Sequence, residues 1–189
     1  MELVFWLSIA FVFYVYFGFP ILLTVLNALF RRPVRKGPCT PAVTLLVAAY
    51  NEARVIEDKL RNSLQLNYPE DKLQIVIASD GSKDATVEIA KRYEDGHRVR
   101  VIAYPQNRGK LVTLNDTVSQ LQTEIVAFSD AASMLTRDAL QLLVSNFADP
   151  KVGAVSGLYR VCKPEEAHIG TSEELYWKYE TFLKRRKPG

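Results

Sequence analysis

The sequence predicts an α/β fold, a mostly parallel sheet with helices on both faces, preceded by one apolar helix. Three observations carry this expectation. Four short apolar runs, at residues 43–48, 73–78, 99–104 and 125–128, alternate with stretches whose apolar residues recur every three or four positions. Alternating strand and helix periods give a parallel sheet covered by helices. Several of these runs are apolar at consecutive positions, as in strands buried on both sides. Finally, residues 3–30 contain no charged side chain and consist mostly of Phe, Leu, Val, Ile and Tyr, more than the roughly 20 residues a membrane-spanning helix needs.

The N-terminal run is read as a retained transmembrane helix. Its length allows tilt, and Pro20 allows a kink. A cleaved signal peptide would have a basic start, a shorter apolar core and a small-residue cleavage site, whereas this chain opens Met1-Glu2 and its run is longer. Arg31, Arg32, Arg35 and Lys36 follow the run, and no Lys or Arg precedes it. The positive-inside rule therefore predicts a single pass with everything after residue 36 in the cytoplasm. There Cys39 and Cys162 should stay reduced. Two isolated cysteines without a CxxC partner make no zinc site, so both are read as structural.

Residues 31–42, with Pro33, Gly37, Pro38 and Pro41, read as a short stiff linker. The first strand, 43–48, leads to a helix marked by Ile56, Leu60 and Leu64. The second strand, 73–78, precedes a helix marked by Val87, Ala90 and Tyr93. The third, 99–104, precedes one marked by Leu111, Leu114, Val118 and Leu121. The fourth, 125–128, precedes one marked by Leu140, Leu143, Val144 and Phe147, which Asp149-Pro150 should stop. Strand character resumes over 152–159. In the last segment, 161–189, Leu175, Tyr176, Tyr179, Phe182 and Leu183 share one helix face ahead of Lys184-Arg185-Arg186-Lys187. That segment is either an amphipathic helix lying on the membrane surface or a core helix with a solvated basic tail. The domain expectation is thus 1–30 transmembrane, 31–42 linker, 43–160 globular, and 161–189 a helix with its tail.

The net charge of +3 comes from two clusters, four basic residues at 31–36 and four at 184–187. Residues 37–183 carry 16 Lys and Arg against 20 Asp and Glu. An acidic body argues against nucleic acid as partner, and the clusters suit anionic lipid headgroups.

Polar residues gather where the strands end, at the sheet edge where open α/β folds bind ligands. After the first strand comes Ala48-Ala49-Tyr50-Asn51-Glu52. Tyr50 can stack on a base and Glu52 can accept from a ribose hydroxyl or base. The plainer alternative is helix capping, with Asn51 as N-cap and Glu52 in the first turn. After the second comes Ser79-Asp80-Gly81-Ser82-Lys83-Asp84. Asp84 suits the start of the next helix, whereas Asp80, ending a buried strand, needs donors to satisfy it; the imide N–H of uracil is one. Asn107-Arg108-Gly109-Lys110 precedes the third helix. Its Lys can meet a diphosphate, although the GxxxxGK[ST] spacing is absent. After the fourth strand comes Ser129-Asp130-Ala131-Ala132-Ser133, where Asp130 can supply an oxygen ligand to a hard cation bridging phosphates. His97 and His168 have no partner at metal or triad spacing.

Taken together, these motifs resemble the donor-binding half of a family 2 glycosyltransferase with a GT-A, Rossmann-like fold. The resemblance runs from Val43 to about Arg160, through Val47-Ala48-Ala49-Tyr50-Asn51-Glu52, Ser79-Asp80-Gly81-Ser82-Lys83-Asp84, Asn107-Arg108-Gly109-Lys110, Phe128-Ser129-Asp130 and Val152-Gly153-Ala154-Val155-Ser156-Gly157. It implies a nucleotide-sugar site. Ala49, Tyr50 and Glu52 match the turn at the nucleoside, and Asp80 matches the carboxylate that reads the base, usually uracil. Lys110 matches a basic residue near the donor phosphates. Asp130 matches the first acid of the DxD motif, which helps hold Mg²⁺ or Mn²⁺ on the diphosphate. The implied activity is inverting sugar transfer from a UDP-sugar to a lipid or polysaccharide acceptor at the membrane.

The sequence departs from the family pattern twice. Position 132 is Ala where many relatives carry a second carboxylate or an amide. The family's general base and its QxxRW motif lie beyond the position of Gly189, so the expectation is an incomplete donor half that transfers no sugar and whose catalytic base is unassigned; Glu173 and Glu174 could be proposed as substitutes, but both look like first-turn residues of the last helix. The rival expectation is a catalytically silent nucleotide-binding or scaffold subunit. A nucleotidyltransferase would carry a Gly-rich phosphate loop after the first strand, and Ala49-Tyr50-Asn51-Glu52 is not one.

Overall fold

The computed structural model describes residues 1–30 and 33–158. Arg31, Arg32, Tyr159, Cys162, His168, Glu173, Glu174, the apolar face from Leu175 and the basic tail lie outside the described residues. The described chain forms a helical unit within Met1–Val34 and a domain, Arg35–Gly157.

In the helical unit, α1 (Glu2–Phe13) and α2 (Phe19–Phe30) are joined by a π-helical turn, Tyr14–Gly18. Glu2–Phe30 forms one run of 29 residues, with mean hydropathy 2.3 over its most apolar 18-residue stretch. At 1.5 Å per residue it is about 40 Å long, against a hydrocarbon core of about 30 Å. The irregularity falls where Pro20 requires it. Proline has no N–H and its ring clashes with the carbonyl four residues back. That carbonyl belongs to Tyr16, inside the π turn, where the wider helical spacing relieves the clash. Ser8 Oγ donates to the Val4 carbonyl at 2.8 Å and Thr24 Oγ1 to that of Pro20 at 2.7 Å, so neither hydroxyl stands bare on an apolar surface.

The domain is a parallel sheet of β1 (Val43–Ala49), β2 (Leu73–Asp80), β3 (Val99–Tyr104) and β4 (Ile125–Asp130), in the order β3-β2-β1-β4. The register sets Leu45 between Ile75 and Ala127, and Ala48 between Ala78 and Asp130. One face carries Val43, Leu45, Val47, Leu73, Ile75, Ile77 and Val99. It is covered by α3 (Ile56–Leu64), α4 (Thr86–Lys91) and α6 (Ala139–Val144) through Ile56, Leu60, Ala90, Leu140 and Val144. The opposite face carries Leu46, Val76 and Ala78, against Leu114 and Val118 of α5 (Lys110–Val118). Helices therefore cover both faces, as the consecutive apolar positions of β1 and β2 require.

Four expectations need correction. Asn51 is not the N-cap of the following helix: α3 begins only at Ile56, after a turn in which the Glu52 carbonyl accepts from Val55 and Ile56 N–H. Strand character does not resume over residues 152–158. A strand needs a hydrogen-bonded neighbour, and no described strand pairs with this segment. The helix after β4, α6, ends at Val144 and tightens into a 3₁₀ turn, Ser145–Ala148, before Pro150. Cys39 packs against the core rather than lying in a free linker, and its thiol donates to the Val144 carbonyl at 3.0 Å.

Candidate functional site

Strand order decides which loops meet. The chain runs outward from β1 to β2 and β3, then returns to place β4 on the other side of β1. The reversal makes the carboxyl ends of β1 and β4 the switch point, the place where parallel sheets take ligands. Asp130, the last residue of β4, sits beside Ala48 of β1, and Asp80 ends β2 on β1's other flank. The two aspartates are thus two strand spacings apart across the sheet, roughly 10 Å, and two residues, roughly 7 Å, apart along it.

One loop bridges them. Arg108 N–H donates to Asp80 Oδ1 and Gly109 N–H to Asp80 Oδ2, each at 2.9 Å. Thr113 Oγ1 donates to Oδ1 at 2.7 Å. Two residues beyond Arg108, Lys110 Nζ forms an ion pair with Asp130 Oδ1. The loop can lie this close because residue 81 is glycine. Gly81 has φ +68°, and a Cβ there would stand 2.4 Å from Asn107 N. Arg108 stacks over the Tyr104 ring at 4.8 Å and pairs with Asp116 at 2.8 Å, which keeps its guanidinium beside the loop.

The two aspartates differ in kind. Asp80 is 4 % exposed. Burial pushes its carboxyl up, but the Arg108 N–H, the Thr113 hydroxyl, the Gly109 N–H and the Arg108 charge outweigh that and hold it below the usual carboxylate value. A carboxylate has about four lone-pair sites, and protein donors fill three of them here. Asp80 therefore clamps the 108–110 loop first and has about one acceptor site left for a ligand. Asp130 is open, with its side chain 62 % exposed and its Lys110 partner 58 % exposed.

The β1 and β2 turns lock together beside this pair. Asn51, at φ +55°, takes Lys83 N–H on its Oδ1 at 2.8 Å, and its own N–H reaches Ser82 Oγ at 3.1 Å. Glu52 N–H donates to Thr86 Oγ1 at 2.8 Å and Ala53 N–H to Asp84 Oδ2 at 3.1 Å. The Thr86 hydroxyl, above all, holds the Asp84 carboxyl low. Asp84 thus serves the start of α4, as its position suggested, and ties the β1 turn to it. Tyr50 is left 44 % exposed, and no described residue hydrogen-bonds the Glu52 carboxylate, so both side chains remain available to a ligand. Ala49, the last residue of β1, pairs with Ser79 and is buried; it lends backbone and not a side chain.

Sequence reasoning missed Lys59. It lies on α3 with Ile56, Leu60 and Ser63, is fully buried, and sends its Nζ to Ser129 Oγ at 2.7 Å and to the Ser133 carbonyl. Burial lowers its pKa to about 8, while the charge of Asp130 pulls the other way. The missed signal was its place three residues after Ile56, inside the apolar stripe. A cavity of about 460 Å³ lined by Lys36, Pro38, Cys39 and Gln141 lies instead ahead of the amino end of β1.

The donor set at Asp130 can be tested for a divalent cation. Among the described residues no three His, Cys, Asp or Glu side chains gather to hold a metal, and Ala132 offers none. The described residues by themselves build no protein-only cage at this site. Mg²⁺, however, commonly takes one or two carboxylates plus phosphate oxygens and waters, and an exposed single carboxylate fits that mode.

Known proteins resemble this chain in sequence and in fold. The profile described as "Glycosyl transferase family 2" matches residues 44–189. A poly-β-1,6-N-acetyl-D-glucosamine synthase of Staphylococcus aureus is 38% identical over 120 residues, 63% of this chain and 29% of that protein. The synthase of Staphylococcus epidermidis is 36% identical over the same length. A mannosyltransferase of Pyrobaculum calidifontis, solved with GDP-Man and Mn²⁺, superposes with TM-score 0.69 at 34% identity, over 78% of this chain and 45% of that one. The chain spans under a third of the curated relatives it matches.

Proposed function

The chain belongs to glycosyl transferase family 2, and from that premise we propose that its 43–160 domain binds a nucleotide-sugar, a UDP-sugar, for transfer to a lipid or polysaccharide acceptor at the membrane. The observation that carries this reading is the single loop that engages Asp80 through its backbone and Asp130 through Lys110. A nucleoside diphosphate is a ligand with a base at one end and two phosphates at the other, and this loop spans the two carboxylates at which those ends would be read. Tyr50 and Glu52 flank the nucleoside, with the Ala49 backbone behind them. Asp80 takes a base N–H on its remaining lone pair, and Lys110 leaves Asp130 for the phosphates. Asp130, with phosphate and water oxygens, holds Mg²⁺ or Mn²⁺, which offsets charge on the departing diphosphate. The relatives support the class of ligand: the Pyrobaculum enzyme was solved with GDP-Man and Mn²⁺, and the staphylococcal enzymes are named as synthases of an N-acetylglucosamine polymer.

The Glu2–Phe30 helix spans the membrane once in this reading, with the domain on the cytoplasmic side, because basic residues flank only its C-terminal end. The alternative, a silent nucleotide-binding subunit, draws on the lone carboxylate at 130 beside Ala132. Calorimetry with UDP and GDP, with and without Mn²⁺, tests the binding. Asp130→Asn should remove mainly the metal-dependent part of UDP affinity, and Lys110→Met mainly the metal-free part. Equal, metal-independent losses in both variants would contradict the assignment. Release of nucleoside diphosphate from donor in the presence of membrane extract separates the enzyme from the silent subunit.

A further inference from the structure

We propose that Lys59 is a positioning residue for the donor site, holding the turn that carries Asp130 and so setting how the lone carboxylate is presented to a cation–diphosphate; this rests on the donor-site reading above. The two acceptors of its ammonium, Ser129 Oγ and the Ser133 carbonyl, bracket Asp130 in sequence. The turn between them is closed by Ser133 N–H donating to the Asp130 carbonyl at 3.1 Å, and Ala131 within it is 1 % exposed. One helical turn further along α3, Asn62 grips the same segment. Its Nδ2 donates to the Leu135 carbonyl at 2.9 Å and its Oδ1 accepts from Leu135 N–H at 2.8 Å. A single helix thus holds the Ser129 side chain just ahead of Asp130 and the backbone of Ser133 and Leu135 after it, through two polar side chains.

A packing role alone would not select lysine here. Burying an ammonium against neutral acceptors is costly, and methionine has similar length and would fill the same space without a charge. What lysine adds is directional donors to both flanks of the turn and a fixed positive charge near Asp130. The two lysines around Asp130 then have separate roles. Lys110 is exposed and free to be displaced by a cation, whereas Lys59 is enclosed and stays. With a second carboxylate at 132 the cation would have two protein anchors. With Ala132, the orientation of one side chain carries that part, and the rigidity of its turn matters correspondingly more.

The test is UDP binding to the full membrane protein in detergent, with and without Mn²⁺, for wild type, Lys59→Met and Ser129→Ala. In Lys59→Met the gain in UDP affinity on adding Mn²⁺ should fall about tenfold, the scale of one charge-assisted hydrogen bond, while metal-free affinity stays within about twofold. A wild-type metal gain in the folded variant overturns the proposal. So does an equal loss with and without metal, which is what loosened packing produces. Should Lys59→Met fail to fold, Ser129→Ala decides: it removes one anchor from a half-buried position and should cut the gain about threefold, and an unchanged gain overturns the proposal. Absence of any metal-dependent UDP or GDP binding by the wild type would instead remove the donor-site reading on which this rests.

Discussion

Replacing Asp80 by Asn separates its two roles. In the native domain Oδ1 accepts from Arg108 N–H and Thr113 Oγ1, and Oδ2 from Gly109 N–H. The carboxamide keeps the first pair if its oxygen takes the Oδ1 position. Its NH₂ then faces the Gly109 N–H, donor against donor. One charge-assisted bond is lost, worth about 1.5–3 kcal/mol, and a buried donor is left without an acceptor, costing about 1–3 kcal/mol. Relaxation of the loop recovers part of this, so a net loss of about 2–4 kcal/mol is expected. Thr113→Val removes only the neutral hydroxyl bond and should cost about 1 kcal/mol. Hydrogen exchange read at single amides is the direct assay: protection of Arg108 and Gly109 N–H should drop by at least tenfold in Asp80→Asn, each 1.4 kcal/mol being tenfold. Metal-free UDP affinity should fall with it. The acid response gives a second check. The folded Asp80 carboxyl lies below its unfolded value, so its contribution is complete above the unfolded pKa of about 3.9 and is lost as pH falls through the depressed one. Asp80→Asn should therefore lose stability less steeply than wild type below about pH 4. Native protection at Arg108 and Gly109 together with unchanged UDP affinity would refute the clamp.

Lys59 makes a prediction at the other end of the pH scale. Its folded pKa of about 8 lies under the ordinary 10.5, so the unfolded chain binds more protons between these values and wild-type stability should rise relative to Lys59→Met, by roughly 3 kcal/mol across that window; parallel pulse-proteolysis curves for the two proteins would refute it. Gly81→Ala forces a Cβ to 2.4 Å from Asn107 N at φ +68°, so it should destabilise the domain by more than the ~1 kcal/mol of an ordinary glycine replacement and weaken UDP binding; a melting temperature within a degree of wild type would contradict this close approach. Glu2–Phe30 should resist carbonate extraction from membranes, and a reporter fused to the C-terminus should read cytoplasmic; release by carbonate would argue against a spanning helix.

The positions of the strands were legible because a strand buried on both faces must be apolar at nearly every residue, which is how residues 45–48 and 75–78 read. So was the placement of Asp80 and Asp130 at strand ends, since a carboxylate after such a run has few other places to be. Helix and strand edges were less legible: β2 continues through Ser79 and Asp80 and β4 through Ser129 and Asp130, because ladder pairing with β1 and β3 overrides the polar character of those residues. The 152–158 segment looked extended in sequence, yet the described residues offer it no neighbouring strand.

What the sequence by itself determined was therefore local: the membrane-length helix, the alternation of strand and helix periods, and the residue types at each strand end. The tertiary structure decided how those ends are combined. The order β3-β2-β1-β4 places Asp130 beside β1, and nothing in the spacing of strands along the chain dictates that choice. Asp80 takes its donors from residues 28 to 33 positions away, so whether it faces a ligand or a loop is set by packing across the sheet edge. Lys59 shows the reason most directly. A lysine in a surface helix is ordinarily solvated, and only the meeting of α3 with the β4 turn supplies two acceptors that let its ammonium stay inside. Periodicity records which face of an element is buried; the partners a buried polar group finds there belong to the fold.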